Sequence, residues 1–260
     1  MNERDVDARL GAAVEIIRDA GALALDYFRD RDALVIEEKG VQDLVSRADR
    51  ETEDLILSRL KAAFPEDAIL AEETGAHGDT SAVWVIDPID GTDNYLRGNP
   101  YWCVAIALVV DGIVEFGLTL DPNTDELYLA RRGEGAWCNH RRLHVSRTKT
   151  VERSKILLGF SYRCPHEPHA ALVGRLLARR CEYARLGAGA LSLAHVAAGR
   201  FEGYVELHMN AWDALGGLLL VAEAGGVVND FLADDGLRRG NLVYAAAPGI
   251  DGFLREVAGC

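Results

Sequence analysis

Two aspartates, Asp87 and Asp90, close an apolar run in the string Trp84-Val85-Ile86-Asp87-Pro88-Ile89-Asp90-Gly91-Thr92-Asp93-Asn94. The run reads as a buried strand, and a strand end is where side chains of different segments can converge on one site. Pro88 and Gly91 shape a turn that lets the two carboxylates approach each other. A helix beginning near Thr92 would turn free N–H groups toward a phosphate. Hard oxygen ligands beside a phosphate suit magnesium. Taken alone, an Asp-Pro turn followed by an Asp-Gly turn is more often structural than catalytic.

The elements that must carry these residues follow from periodicity. Leu10, Val14, Ile17, Ala24 and Phe28 recur at helical spacing and predict an amphipathic helix over residues 6–28, with a second over 48–64 that Pro65 ends. Residues 68–71 read as a short strand delivering Glu72 and Glu73 to its far end, and 82–86 as a strand delivering Asp87. The stretches 102–110 and 113–120 flank Asp111-Gly112, a strong hairpin signal because this pair supplies the positive φ angles of a tight turn. A third strand over 126–130 joins them. Beyond about Ser146 the pattern shifts to helix-like segments near 170–178 and 191–198, a strand around Tyr204 and a helix over 214–224. These features divide the chain into an N-terminal α+β domain, 1–145, carrying the acidic motifs, and a C-terminal α/β domain, 146–260, completing the site. No repeat or flexible linker separates the halves, so they are expected to pack tightly.

Composition narrows the function classes. The chain has 260 residues, 49% of them hydrophobic, enough for a large core, and a formal net charge of −13. That charge opposes binding of nucleic acid through a basic surface and means a small anionic substrate needs local cationic help. The odd, widely spaced cysteines Cys103, Cys138, Cys164, Cys181 and Cys260 form no C-x-x-C pair, which suits a reduced, cytoplasmic setting. The start MNERDVDARL has no secretory character, and no apolar run approaches a membrane span. The histidines show no zinc spacing, and surface or loop positions are the expectation for them. Trp84 and Trp212 read as core packing.

Further strings stand one after another along the chain: Asp43-Leu44-Val45-Ser46-Arg47-Ala48-Asp49, Ala71-Glu72-Glu73-Thr74-Gly75, the Asp87 string, Gly133-Glu134-Gly135-Ala136-Trp137-Cys138-Asn139, and Trp212-Asp213 followed by Glu223-Ala224-Gly225-Gly226. Together they cover nearly the whole chain and resemble the inositol monophosphatase family. The resemblance implies an α+β fold, a layered αβαβα sandwich of the inositol monophosphatase and fructose-1,6-bisphosphatase type. It also implies a magnesium-dependent, lithium-sensitive phosphomonoesterase that hydrolyses inositol monophosphate or a similar small sugar or cyclitol phosphate, commonly as a homodimer. By position in the motifs, Glu72, Asp87 and the backbone carbonyl of Ile89 correspond to a first magnesium site, and Asp87, Asp90 and Asp213 to a second. A weaker third ion would lie near Glu72, for two to three in all. Carboxylates so close would repel one another unless divalent cations neutralised them.

Within the same resemblance, Asp49 and Thr92 are similar to the pair that orients and deprotonates the attacking water, with Glu72 assisting and no covalent intermediate. Without it, Asp49 and Asp213 would read as helix caps or surface acids. Glu72, Asp90, Gly91, Thr92 and Asp213 would also face the substrate. Gly187, Ala188 and Gly189 resemble the loop that contacts ring hydroxyls, and Glu206 the glutamate that hydrogen-bonds one of them. Lys39 resembles a loop lysine near the phosphate, and Glu73 reads as an exposed or paired neighbour of Glu72. Asp93, Ser46 and Leu215 depart from the usual pattern without removing a ligand. Fructose bisphosphatases, histidinol phosphatases and nucleotide-bisphosphate phosphatases share the metal motifs. A haloacid-dehalogenase reading fails because two residues, not one, separate Asp87 from Asp90. No P-loop or dinucleotide fingerprint is present. A regulatory, protein-binding role is the alternative from another class, since some bacterial relatives associate with transcription machinery.

Overall fold

Asn2 and Asp5 exchange side-chain-to-backbone hydrogen bonds in a capping box that starts helix α1, Glu3–Arg29. The computed structural model describes residues 2–30, 36–40 and 43–259, with backbone alone for 36–40 and 43–45. Lys39 therefore falls, as a side chain, outside the described residues. Strands β1 (Ile36–Gly40) and β2 (Asp43–Ser46) pair antiparallel and lead into α2 (Arg47–Ala63), which packs along α1.

The first large sheet is built from β3 (Ala68–Ala71), β4 (Gly75–His77), β5 (Ala82–Asp90), β6 (Cys103–Val110), β7 (Ile113–Asp121), β8 (Glu126–Arg131), β9 (Gly135–Cys138) and β10 (Arg141–Arg142), with the short helix α3 (Thr92–Leu96) after β5. Its order is β10-β9-β8-β7-β6-β5-β3-β4, and only β3 beside β5 is a parallel pair. The hairpin between β6 and β7 turns through Asp111 (φ 51°) and Gly112 (φ 77°), as the sequence predicts.

The second half contributes β11 (Lys155–Leu158), α4 (His166–Ala178), β12 (Glu182–Ala184), α5 (Gly189–Ala197), β13 (Gly203–Met209), α6 (Ala211–Glu223), β14 (Val227–Val228), α7 (Gly236–Arg239), β15 (Asn241–Ala246) and α8 (Asp251–Ala258). The second sheet runs β12-β11-β13-β15-β14, with the first three strands parallel.

Strand alternation sorts the core into layers. Val104, Ile106 and Leu108 of β6 pack with Ile16 and Ile17 of α1 and Ile56 and Leu60 of α2. The intervening Cys103, Ala105, Ala107 and Val109 join the cluster that holds Leu191 and Leu193 of α5, Leu218 and Leu219 of α6, and the second sheet. Small residues on that face let α6 lie close. Gly117 of β7 meets Gly216 of α6, and a Cβ on Gly117 would collide with the Gly216 backbone. Helices α4 and α8 cover the outer face of the second sheet. The order is thus helices, sheet, helices, sheet, helices.

Two details differ from the sequence reading. Strand β5 does not stop at Ile86. It continues through Asp90 with a register shift between Asp87 and Asp90, because Pro88 has no N–H for the ladder and the bulge absorbs the interruption. Helix α6 begins at Ala211, so Asp213 lies in its first turn and not ahead of it. Among the described residues no helix is long and apolar enough to cross a membrane.

Candidate active site

Parallel pairing of β3 and β5 brings their carboxyl ends side by side, so Glu72 and the Asp87–Asp90 segment emerge together. The turn after β3 is clamped from α2. Glu53, fully buried, accepts the N–H of Glu73 on Oε2 and that of Thr74 on Oε1, each at 2.9 Å. The Glu72 N–H donates to the carbonyl of Ile86 at 3.2 Å.

Asp87 is fully buried. Its Oδ1 accepts the Ile89 N–H at 2.9 Å, while among the described residues its Oδ2 has no hydrogen-bond partner. Asp90 reaches across to the other half: Oδ1 accepts from Gly189 N–H at 2.9 Å, and Oδ2 from Leu191 N–H at 3.2 Å and Cys103 Sγ at 3.4 Å. With Asp213 of α6, these aspartates offer carboxylate oxygens that all lie within 4.8 Å of one another. Glu72 lines the same cleft outside that trio.

Burial is the largest cause raising the pKa of each of these acids. Glu72 and Asp87 are pushed well above the ordinary range, with neighbouring carboxylates adding to the effect. Asp90 rises to about 7, the N–H groups of Leu191 and Gly189 acting in the opposite sense. Asp213 is raised by burial while the charge of Arg163 pulls it down. A buried, unpartnered carboxylate oxygen amid repelling acids is an all-oxygen, anionic donor set, and a divalent cation such as magnesium fits it.

Asp49 serves two partners. As the third residue of α2 it closes a capping box, its Oδ2 accepting from Ser46 N–H at 2.8 Å and Ser46 Oγ at 2.7 Å. Its Oδ1 accepts from Thr92 Oγ1 at 3.2 Å. The Thr92 hydroxyl also lies 3.1 Å from the carbonyl of Ile89, so its one proton has two acceptors. The two Asp49 oxygens thus point to different neighbours, one within the capping box and one at Thr92. Burial raises its pKa, and the bonds from Ser46 and Thr92 oppose that.

The cleft between the sheets has a volume of about 460 Å³. Its wall includes Glu72, Asp90, Gly91, Thr92, Asp213 and Glu206, with the Gly187-Ala188-Gly189 loop, so the sequence-predicted substrate residues are gathered there; Asp49, Asp87 and Ile89 lie behind that wall. Gly91 takes φ 95°, and a Cβ there would come within 3.0 Å of Ala188 Cβ and 3.1 Å of the Tyr101 carbonyl. Asn94 Nδ2 binds the carbonyls of Tyr101 and Leu186, each at 2.8 Å, tying the two halves beside it. Glu206 of β13 accepts from Tyr204 Oη at 2.5 Å, and burial lifts its pKa to about 7.

Asp93, the departure with extra charge, pairs with Arg97 at 2.9 Å. Leu215 is buried in the central core, and Trp84 is buried with Nε1 donating to Asp67. The surface-or-loop expectation fails for His195, which is buried within α5, because Tyr101 and Arg200 satisfy its ring nitrogens. Sequence reasoning missed Glu53, Gly159, Arg163, Arg185 and Tyr204. Only the need for local cationic help hinted at the arginines.

Fold and site together define a class: a five-layer α+β protein with a buried carboxylate cluster, suited to divalent cations, at the seam of its two sheets. The model of the inositol monophosphatase family matches residues 5–254, and the chain belongs to that family. Nus factor SuhB of Haemophilus influenzae is 36% identical over 256 residues, covering 96% of each chain. The crystal structure of extragenic suppressor protein SuhB from Bartonella henselae superposes with a TM-score of 0.90 at 34% identity, over 96% of this chain and 98% of that one. Inositol monophosphatase from Anabaena (Nostoc) superposes with a TM-score of 0.84 at 32% identity, over 97% and 96%.

Proposed function

We propose that this protein is a magnesium-dependent phosphomonoesterase acting on inositol monophosphate or a similar small cyclitol or sugar phosphate. The observation that carries the reading is the buried aspartate trio Asp87, Asp90 and Asp213, with its unpartnered Asp87 oxygen, opening beside the Asp49–Thr92 pair. Glu72, Asp87 and the Ile89 carbonyl would hold one ion, and Asp87, Asp90 and Asp213 another. Bound magnesium supplies a lowered pKa for a coordinated water and charge stabilisation at the leaving oxygen.

The protein's own groups do the rest. With its proton given to Asp49 Oδ1, the Thr92 oxygen presents lone pairs that orient a water by accepting one of its hydrogens. Asp49, its pKa raised by burial, takes the proton relayed through Thr92, with Glu72 assisting. The water oxygen bonds to phosphorus, the ester P–O bond breaks with its electron pair on the leaving oxygen, and that oxygen takes a proton from solvent, matched by the one Asp49 later releases, so that the alcohol and inorganic phosphate leave. Glu206 and the 187–189 loop hold the ring hydroxyls.

Phosphate release from a panel of phosphomonoesters tests this directly. Magnesium-dependent release, abolished by chelation and favouring inositol monophosphate over an aryl phosphate, is expected. No release from any phosphomonoester would overturn it. The name Nus factor, borne by the Haemophilus relative, supports a second, partner-binding role; a variant without turnover that keeps that role would separate the two.

A further inference from the structure

Ala188 is the N-cap residue of α5 and has no side-chain oxygen with which to cap it. The amino end of that helix is satisfied from outside instead. Asp90 accepts the N–H groups of Gly189 and Leu191, and the Ala188 carbonyl accepts from Ser192 twice, from N–H at 3.1 Å and from Oγ at 2.5 Å. Ser192 Oγ lies 3.3 Å from Tyr101 Oη, and Tyr101 Oη lies 3.2 Å from His195 Nδ1. His195 Nε2 lies 2.9 Å from Arg200 Nη1, and Arg200 Nη2 donates to Glu126 at the start of β8. A chain of side-chain hydrogen bonds therefore runs from the first sheet, behind α5, to the loop on the cleft wall.

Only one placement of protons satisfies this chain. A guanidinium can only donate, so His195 Nε2 accepts, and Nδ1 of the neutral ring carries the proton. That proton goes to Tyr101 Oη, which leaves the phenol proton for Ser192 Oγ and the serine proton for the Ala188 carbonyl. Every donor points the same way, from Arg200 toward the loop, and bonds aligned head to tail in a buried setting strengthen one another. Tyr101 also meets the loop by a second route, since Asn94 Nδ2 binds both the Tyr101 carbonyl and the Leu186 carbonyl. Ala188 and Ser192 line the cleft; Tyr101, His195 and Arg200 do not.

We infer that Tyr101, its hydroxyl oriented by His195 and Arg200, is a positioning residue for recognition of the substrate ring: through Ser192 it fixes the Ala188 carbonyl, and with it the 187–189 loop, at the cleft wall. The inference rests on the phosphomonoesterase reading, in which that loop holds ring hydroxyls. Tyr101 acts without touching substrate. Removing its hydroxyl leaves the His195 N–H without an acceptor and frees the Ser192 hydroxyl to turn, so the loop loses one of its two ties to Tyr101. The phosphoryl side is spared, because Asp90 keeps its own bonds to Gly189 and Leu191.

Tyr101→Phe, which keeps the ring and removes only the hydroxyl, is the test, with inositol 1-phosphate and 4-nitrophenyl phosphate as substrates. KM for the inositol ester should rise by about fivefold or more, KM for the aryl ester by less than about twofold, and kcat on both should change by less than about threefold. Adding Tyr101→Phe to Ser192→Ala should change KM no further, because both act on one carbonyl. Arg200→Leu should shift the His195 ring nitrogen NMR signals away from the Nδ1–H tautomer and reproduce the Tyr101→Phe KM, whereas Arg200→Lys, which keeps a donor for Nε2, should retain wild-type values. Equal KM changes on the two esters, no change on either, or additive effects of the Tyr101 and Ser192 substitutions would overturn the role. If wild type hydrolyses neither ester, the phosphomonoesterase reading fails by itself, and amide hydrogen exchange still decides whether Tyr101 holds the loop. The Ser192 N–H, which donates to the Ala188 carbonyl, should exchange about tenfold faster in Tyr101→Phe, and an unchanged rate overturns the inference.

Discussion

Asp90 at the end of β5 holds the start of α5, its Oδ1 accepting the N–H of Gly189 at 2.9 Å across 99 residues of chain. Its Oδ2 takes Leu191 N–H, so both carboxylate oxygens meet the amino end of a nine-residue helix, where the dipole favours negative charge. One side chain thereby belongs to the carboxylate cluster and fixes the 187–189 loop on the cleft wall. In the proposed mechanism this residue would couple the chemistry to the docking of the two halves.

Asp90→Asn separates those tasks. Asparagine keeps one acceptor, but its amide must face an N–H or the Cys103 thiol, while removal of a charge relieves repulsion within the cluster. The two effects on stability oppose each other, so the melting temperature should stay within a few degrees of wild type, and kcat should fall by far more than tenfold. Retention of over about a tenth of wild-type kcat at saturating magnesium, roughly 1.4 kcal/mol of barrier, would remove Asp90 from the proposed machinery.

Removing metal should make stability fall as pH rises. The site acids have folded pKa values raised above their unfolded ones, so between those limits the folded chain binds more protons than the unfolded one, and alkali favours unfolding. For Asp90 the window runs from near 4 to about 7, and Glu72 and Asp87, raised by burial and by neighbouring carboxylates, act in the same sense. Calorimetric scans in a chelator should therefore give a lower melting temperature at pH 8 than at pH 6, with magnesium raising it more at pH 8. A metal-free transition independent of pH, with no magnesium response, would contradict a cation-neutralised cluster.

Glu53→Gln tests the clamp on the Glu72 turn. The substituted amide would face one of the two N–H groups now bound by the carboxylate, a cost of about 1–3 kcal/mol. Loosening that turn should raise the magnesium midpoint of turnover by about tenfold, the scale of losing support behind a ligand. A variant that is less stable yet has an unchanged magnesium midpoint would show that Glu53 serves the fold alone.

The helices α1 and α2, the β6–β7 hairpin and the acidic strand ends were legible because each has a local signal: helical spacing, Asp-Gly, or acids directly after an apolar run. Of the second sheet only β13 was, as the strand around Tyr204. Strands β11, β12 and β14 have only two to four residues, too few for alternation to show, and β15 is masked by uniform burial near its end. Glu53 reads as an ordinary polar position of an amphipathic helix until the fold brings Glu73 and Thr74 to it. Arg163 and Arg185 stand in unremarkable loops after β11 and β12, strands that sequence did not reveal. Gly159 has an ordinary φ, so only its closeness to Glu206 marks it.

His195 provides a second, independent pH test. Arg200 Nη1 donates to its Nε2 at 2.9 Å, so Nδ1 carries the proton and meets Tyr101 Oη at 3.2 Å. Burial, then the charge of Arg200, lowers its pKa from 6.5 to about 4. Between those values the unfolded chain binds more protons, so the stability this residue contributes is complete above 6.5 and is lost as pH falls toward 4. Between pH 7 and pH 5 that loss is about 2 kcal/mol. Denaturant unfolding of His195→Gln, neutral at every pH, should show a correspondingly shallower dependence, and an identical slope in the variant would assign the acid sensitivity elsewhere.

Gly159→Ala should damage substrate selection more than chemistry. The new methyl group would occupy space held by the Glu206 carboxylate and the Tyr204 hydroxyl, forcing that hydrogen-bonded pair to move. Glu206 is proposed to touch the ring and not the phosphoryl group, so KM for inositol monophosphate should rise by about tenfold while an aryl phosphate changes by less than about threefold, with kcat little altered. Glu206→Ala should behave the same way. Because both substitutions act through one carboxylate, their effects should not add: in the Gly159→Ala, Glu206→Ala double variant most of the clash is gone, and the KM should resemble that of Glu206→Ala alone. Steady-state kinetics on the four proteins closes the cycle. Fully additive losses, or equal losses on the two substrates, would show that Gly159 serves the packing of β11 against β13 and not the placement of Glu206.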